Sequence, residues 1–212
     1  MTNTNVKIQE GGASSLSAFT NTSVSGEKIS AVVPVDEAGN ALHNLPPDVS
    51  RRHIVVAEVV PTILTSGATV LSLRNPTTSK LYVSRIEIVS LFHGTAAASK
   101  AAFRFKRFWN CTGVTGTLTT VTPSKRDSTN AASQVECRIA PAGITLTGAT
   151  VEPDGFCQFM HPNQLGVVIE KDWEFSKFPI VIRQNEGICL QLQGAILANT
   201  AICASIQYGE IQ

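Results

Sequence analysis

With 212 residues the chain has room for one large domain, or one domain with an arm, and its formal net charge of +1 supplies no field to hold a polyanion. Only 16% of its residues are charged and the mean hydropathy is +0.11, a neutral composition that suits packing against other protein. The five cysteines, Cys111, Cys137, Cys157, Cys189 and Cys203, are odd in number and widely spaced without a C-x-x-C pair, the pattern of reduced thiols used as small hydrophobes.

The first residues, "MTNTNVKIQE", lack the basic segment and apolar run of a secretory signal, so the chain reads as intracellular at synthesis. Ile54 to Leu64 is broken by Glu58 and Pro61, and Ala195 to Ile206 by Asn199 and Thr200, so neither reaches the roughly 20 apolar residues of a membrane helix. No membrane partner is expected. Residues 1–50 are rich in Ser, Thr, Asn and Gly and end in "NLPPDVSRR", which reads as an extended N-terminal arm without a fold of its own. Val32, Val33 and Val35 could make one short strand, closed by the turn "DEAGN", that needs a partner to pair with.

Residues 51–212 are predicted to form the folded domain, and from Ile54 onward the period is two wherever it can be read. In "ICLQLQ", Ile188, Leu190 and Leu192 share one face and Gln191 and Gln193 the other; Ile202, Ala204, Ile206 and Tyr208 repeat the pattern. Half-buried antiparallel strands fit this. Further strands are predicted around 54–60, 69–74, 80–91, 102–109, 135–139, 144–147, 156–160, 166–175 and 179–183, separated by turns such as "RNPTTSK", "EPDGF", "RQNEG" and "LQGAILANT". No helix-period segment competes. The predicted fold is all-β, an antiparallel β-sandwich of jelly-roll type. Residues 110–134, rich in Thr and Ser, read as a long loop or a protruding hairpin.

The stretch "AFRFKRFWN" interleaves Arg104, Lys106 and Arg107 with Phe103, Phe105, Phe108 and Trp109, as single-stranded nucleic-acid grooves do. Strand phase puts Phe103 and Phe105 on the core side and Arg104 and Lys106 outside, with a bulge expected where Arg107 and Phe108 break the alternation. The cations then face solvent or a neighbouring subunit, and no nucleic-acid partner is expected. Glu170, Asp172 and Glu174 share a strand face in "EKDWEF"; three carboxylates in a row could hold calcium, but no Asn/Asp/Gly loop supplies further oxygens, and the face reads as solvated. His43, His53, His93 and His161 stand apart at no metal-site spacing. There is no G-x-S-x-G, no P-loop and no G-x-G-x-x-G, so no catalytic residue, cofactor or metal is expected and the chain reads as a non-enzyme.

"LRNPTTSKLYVSRIEI", "FHGTAAASKAAFRF" and "IRQNEGICLQLQGAI" together resemble structural virion proteins of tailed bacteriophages, in which an "LRNP" strand-turn-strand, a "DGTAAAS" loop and a late "GEGLALRL" strand recur in that order. The resemblance spans roughly residues 70–108 and 183–208; His93 stands where the pattern often has Asp, and "NEGICL" replaces "GEGLAL". It implies a β-sandwich located in the virion that decorates or cements a capsid, without catalysis, and by analogy with decoration proteins a homotrimer. The implied partner is a major capsid protein or another virion protein. On this reading Val6, Ile8, Phe19, Ile29, Val32 and Val33 of the arm are capsid contacts, and Arg104, Lys106 and Arg107 are subunit contacts. A neck or tail component stays open, as does a carbohydrate-binding module using Trp109, Trp173, Tyr82 or Tyr208.

Overall fold

The computed structural model describes residues 4–9, 15–22, 28–34, 51–62, 65–92, 100–126, 131–162, 165–175, 178–193 and 200–211. The chain divides into two units, Met1–Asp48 and Val49–Gln212. In the first, β1 (Thr4–Gln9), β2 (Ser15–Thr22) and β3 (Lys28–Pro34) form an antiparallel meander in chain order. The register places Val6 opposite Ala18 and Ala18 opposite Val32, with Ile8, Leu16 and Pro34 aligned in the next row but one. Three strands thus stand where one was predicted; Val35 and the "DEAGN" turn lie outside the described residues.

The second unit continues with β4 (Arg51–Val59), β5 (Thr69–Arg74), β6 (Lys80–Phe92), β7 (Lys100–Trp109), β8 (Gly113–Thr115), β9 (Thr119–Val121) and β10 (Ser124–Lys125). It closes with β11 (Glu136–Thr147), β12 (Thr150–Val151), β13 (Cys157–Pro162), β14 (Val168–Glu174), β15 (Ile180–Ile182), β16 (Gly187–Gln193) and β17 (Thr200–Ile211). One sheet runs β10-β4-β17-β6-β14, with β15 also on β6; the other runs β12-β7-β16-β5-β11-β8, with β13 also on β7 and β9 on β11. The two sheets pack as an all-β antiparallel sandwich, as the alternation predicts.

Its core is one apolar cluster built from alternate residues of both sheets. Val55, Ala57 and Val59 of β4 and Ile202, Ala204, Ile206 and Tyr208 of β17 meet Phe103 and Phe105 of β7 and Ile188, Leu190 and Leu192 of β16. Each Val, Leu, Ile or Phe among them contributes about 1.5–3 kcal/mol by leaving water, which is why the phase of these strands cannot slip. In β6 the alternation is broken on purpose. Gln207 lies opposite Arg85 but Tyr208 opposite Val83, so the extra residue, Ser84, forms a bulge that turns Leu81 and Val83 before it, and Ile86 and Ile88 after it, to the same buried side.

Two sequence expectations change here. The strands predicted at 135–139 and 144–147 are a single strand, β11, bent between Ile139 and Ile144, where Gly143 adopts a positive φ of 99°. The described residues of the 110–134 stretch are not one long loop: β8 and β9 pair with β11, and β10 with β4, because short Thr-rich segments beside open sheet edges gain backbone hydrogen bonds by joining them. The "LQGAILANT" turn and the "HGTAAAS" loop fall largely outside the described residues.

Candidate functional site at the end of strand β7

Strand β7 runs in unbroken register against β16, from Ala102 opposite Gln193 to Phe108 opposite Gly187. The bulge expected at Arg107 and Phe108 is absent. Phe103 and Phe105 point inward as predicted, Phe103 against Phe159 at 5.7 Å between ring centroids and Phe105 edge-on to Trp173 at 6.3 Å. Phe108 therefore falls on the outer face with Arg104 and Lys106. It is nevertheless buried, because Cys111, Cys189 and the partly buried Val114, Leu146, Ala149 and Val151 close a second small apolar cluster over it. The cations' own face thus presents no exposed Phe, and Trp109, 38% exposed, has the opposite parity.

The three basic residues have different fates. Arg104 donates from Nη1 to Asp154 O at 3.1 Å and from Nη2 to Gln158 Oε1 at 3.3 Å. Lys106 lies on the outer face as predicted, but it is buried rather than solvated, its Nζ donating to Pro153 O at 2.5 Å. Both side chains hold the 152–158 segment down over the strand. Gly155 of that segment has φ +71°, and a Cβ there would stand 2.8 Å from Phe105 O, so the close approach requires glycine. Arg107 has the inward parity but sits at the rim of the sandwich, its side chain 43% exposed. Its Nη2 donates to Val181 O at 3.1 Å, and its backbone N–H to Glu152 Oε2 at 3.4 Å.

Arg107 forms one wall of a groove of about 520 Å³, between β7 and β12 on one side and β15 on the other. Arg183, Glu152, Phe156, Phe175, Pro179, Ile180 and Val181 complete it. Phe156 and Phe175 meet edge to face at 6.1 Å, and backbone bonds fix both: Phe156 N–H to Phe105 O at 3.0 Å and Phe175 N–H to Ser84 O at 2.7 Å. The sequence offered Arg107 as a candidate but no signal for its companions, which come from segments distant in the chain.

The carboxylate row is placed as predicted, with Trp173 packed toward the core and Glu170, Asp172 and Glu174 exposed on the other side of β14. Asp172 is occupied: Arg85 donates from Nε to Oδ1 at 2.9 Å and from Nη2 to Oδ2 at 2.6 Å, and this hydrogen bonding holds the Asp172 carboxyl below its ordinary range. Among the described residues no group of three or more His, Cys, Asp or Glu side chains is placed to hold a metal ion. His53 is buried and stacks on Tyr208 at 5.6 Å, while His43 and His93 lie outside the described residues. The cysteines are free thiols. Burial pushes Cys137, Cys157 and Cys189 up to about 12, which keeps them protonated and inert as nucleophiles.

Sequence reasoning missed two polar centres. Arg74 donates to Cys111 O at 2.9 Å, Glu136 Oε2 at 3.0 Å, Thr112 O at 3.2 Å and Asn185 Oδ1 at 2.9 Å. Ser133 Oγ lies 2.8 Å from Tyr208 Oη and donates to the buried Glu210 carboxylate. The first could be suspected from "LRNP"; nothing local marks the second. No family model, curated protein or solved structure matches this chain.

Proposed function

We propose that this chain is a non-enzymatic structural protein of a tailed-phage virion, a capsid decoration or cement protein that stabilises the shell. The observation that carries the reading is the interleaving of the strands. The first strand of the sandwich, β4, lies beside the last, β17, which lies beside β6 and then β14, while the opposite sheet runs β5-β16-β7 and on to β13. That alternation between sheets supports reading the sandwich as a jelly roll, an architecture used by viral shells and by lectins.

What favours the shell over the lectin is where the aromatics go. Trp173 packs on the core and Tyr208 is 2% exposed, while Trp109 and Tyr82 lie on different sheets, so no shared platform for a sugar ring forms from them. The low charge of 16% suits protein-facing contacts. In this proposal the N-terminal unit makes the capsid contact through Val6, Ile8, Phe19, Ile29, Val32 and Val33. Those residues are spread over β1, β2 and β3. Repeated copies on a symmetric shell add avidity to each contact. Of the three proposed subunit contacts, Arg104 and Lys106 brace their own chain, and Arg107 opens outward.

An imaging reconstruction of purified particles tests the reading. Density for the sandwich at repeated capsid positions is the expected result, with three copies around each site. Density confined to the neck or tail selects that alternative, and absence of the chain from purified particles overturns the proposal.

A further inference from the structure

We infer that the groove at the end of β7 is a docking site for an acidic peptide segment with apolar side chains, its carboxylates taken by Arg107 and Arg183 and its apolar groups by Phe156 and Phe175. The inference concerns the sandwich alone and does not depend on residence in a virion.

The donors are in place, and most of their N–H groups are uncommitted. Arg107 commits only Nη2, to Val181 O, and among the described residues its Nε and Nη1 make no hydrogen bond. The Arg183 guanidinium makes none among the described residues, yet its backbone is fixed, the N–H donating to Glu186 Oε2 at 2.9 Å and the carbonyl accepting from Glu186 N–H at 3.1 Å. Of the two acids nearby, Glu186 forms a long ion pair with Arg107, and neither accepts a side-chain hydrogen bond from Arg107 or Arg183 among the described residues. Glu152 accepts from the Arg107 backbone, and Glu186 accepts from the Arg183 backbone while standing 3.9 Å from Arg107 Nη2. The Arg183 guanidinium keeps its parallel N–H groups for a carboxylate, which accepts two such bonds at once, while Arg107, with Nη2 engaged, offers Nε and Nη1.

The floor decides the rest of the ligand. Phe156 and Phe175 meet edge to face, so they offer an apolar wedge rather than an open ring on which a nucleobase stacks. A volume of about 520 Å³ lies in the range of ligand pockets and admits a few side chains, not a folded domain. A short segment in which acidic and apolar residues alternate meets both requirements, because an extended chain sends successive side chains to opposite sides and lets every second one reach the arginines.

Fluorescence anisotropy on the full chain tests this with three labelled probes: a nonapeptide alternating glutamate and leucine, its glutamine counterpart, and a nine-nucleotide oligo-dT. The glutamate peptide is expected to bind saturably, with the glutamine peptide at least about tenfold weaker, the loss of one charge-assisted contact. Arg183→Ala should weaken the glutamate peptide about tenfold and leave the melting temperature unchanged. Arg107→Ala should weaken it as much, and Arg183→Ala keeps the test decisive if Arg107→Ala does not fold. Equal binding of the glutamate and glutamine peptides, wild-type affinity in Arg183→Ala, tighter binding of oligo-dT, or no saturable binding of the glutamate peptide at millimolar concentration would each overturn the inference.

Discussion

Arg74 and Glu136 face each other across β5 and β11, Nη1 to Oε2 at 3.0 Å, and Glu136 is shared with Arg138 at 3.1 Å. The pair does more than close two strands. The same guanidinium reaches the 111–112 turn and Asn185, so one side chain ties β5 and β11 to the turn ahead of β16. Its neighbour Asn75 is fully buried and bonds Ser79 O at 2.6 Å and Thr77 N at 3.0 Å, which shapes the turn that follows. The "LRNP" motif is therefore structural, a staple at one end of the sandwich.

Arg74→Ala should cost about 2–4 kcal/mol in denaturant unfolding, since it strips partners from a mostly buried carboxylate and two carbonyls. Arg74→Lys should recover less than half, because an ammonium cannot reproduce the fork. Wild-type stability in Arg74→Ala would show the staple to be dispensable.

Along β7, Phe103→Ala and Phe105→Ala should each cost about 3–5 kcal/mol. Phe108→Ala should fall in the same range despite its outer face, because its small cluster is closed. Arg104→Ala should cost under about 1 kcal/mol, whereas Lys106→Ala should cost about 1–3 kcal/mol by leaving Pro153 O without its donor. Melting curves of the five variants rank them; Lys106→Ala behaving like Arg104→Ala would contradict its burial.

Gly187→Ala should destabilise by about 3 kcal/mol, the upper part of the usual cost of overpacking. A Cβ at this position would collide with Leu73 O and the Phe108 ring. Soluble, wild-type-like Gly187→Ala would mean that β16 can move away from β5.

The contribution of the buried thiols to stability should be constant from pH 7 to about 9 and fall above it. Cys137, Cys157 and Cys189 are raised from 9.0 to about 12 in the fold, so the unfolded thiols ionise first and unfolding releases their protons between those values. The stabilisation is complete below the unfolded value and is lost as pH rises toward the folded one. Urea midpoints from pH 7 to 10.5 measure it; the Cys→Ser variants should show a shallower decline. Reducing agent should leave the melting temperature nearly unchanged, since the thiols are free.

Removing residues 1–48 should leave the sandwich folded, because among the described residues its core cluster comes from positions after Val49. The truncated chain should keep a cooperative melt and, under the proposed function, lose attachment to particles in co-sedimentation. Retained attachment would relocate the capsid contact to the sandwich.

Much of this fold was readable from alternation alone. A strand with one wet and one dry face must repeat every second residue, so Ile188, Leu190 and Leu192, or Phe103 and Phe105, declare their buried side locally, and the all-β class follows from many such segments. Alternation says nothing about what lies over the other face. Phe108 and Lys106 sit on that outer side of β7, yet both are buried, because Cys111, Val114, Leu146 and Val151 close over Phe108 and Pro153 accepts from Lys106. Nor does local pattern choose neighbours: the partners of Arg74 lie 37 to 111 positions away, and the groove joins Arg107 to Arg183 only because β15 and β7 end at the same rim. Period is imposed by the geometry of a single strand and is written in consecutive residues; coverage and convergence depend on contacts between segments far apart in sequence, and only the packed sandwich decides them.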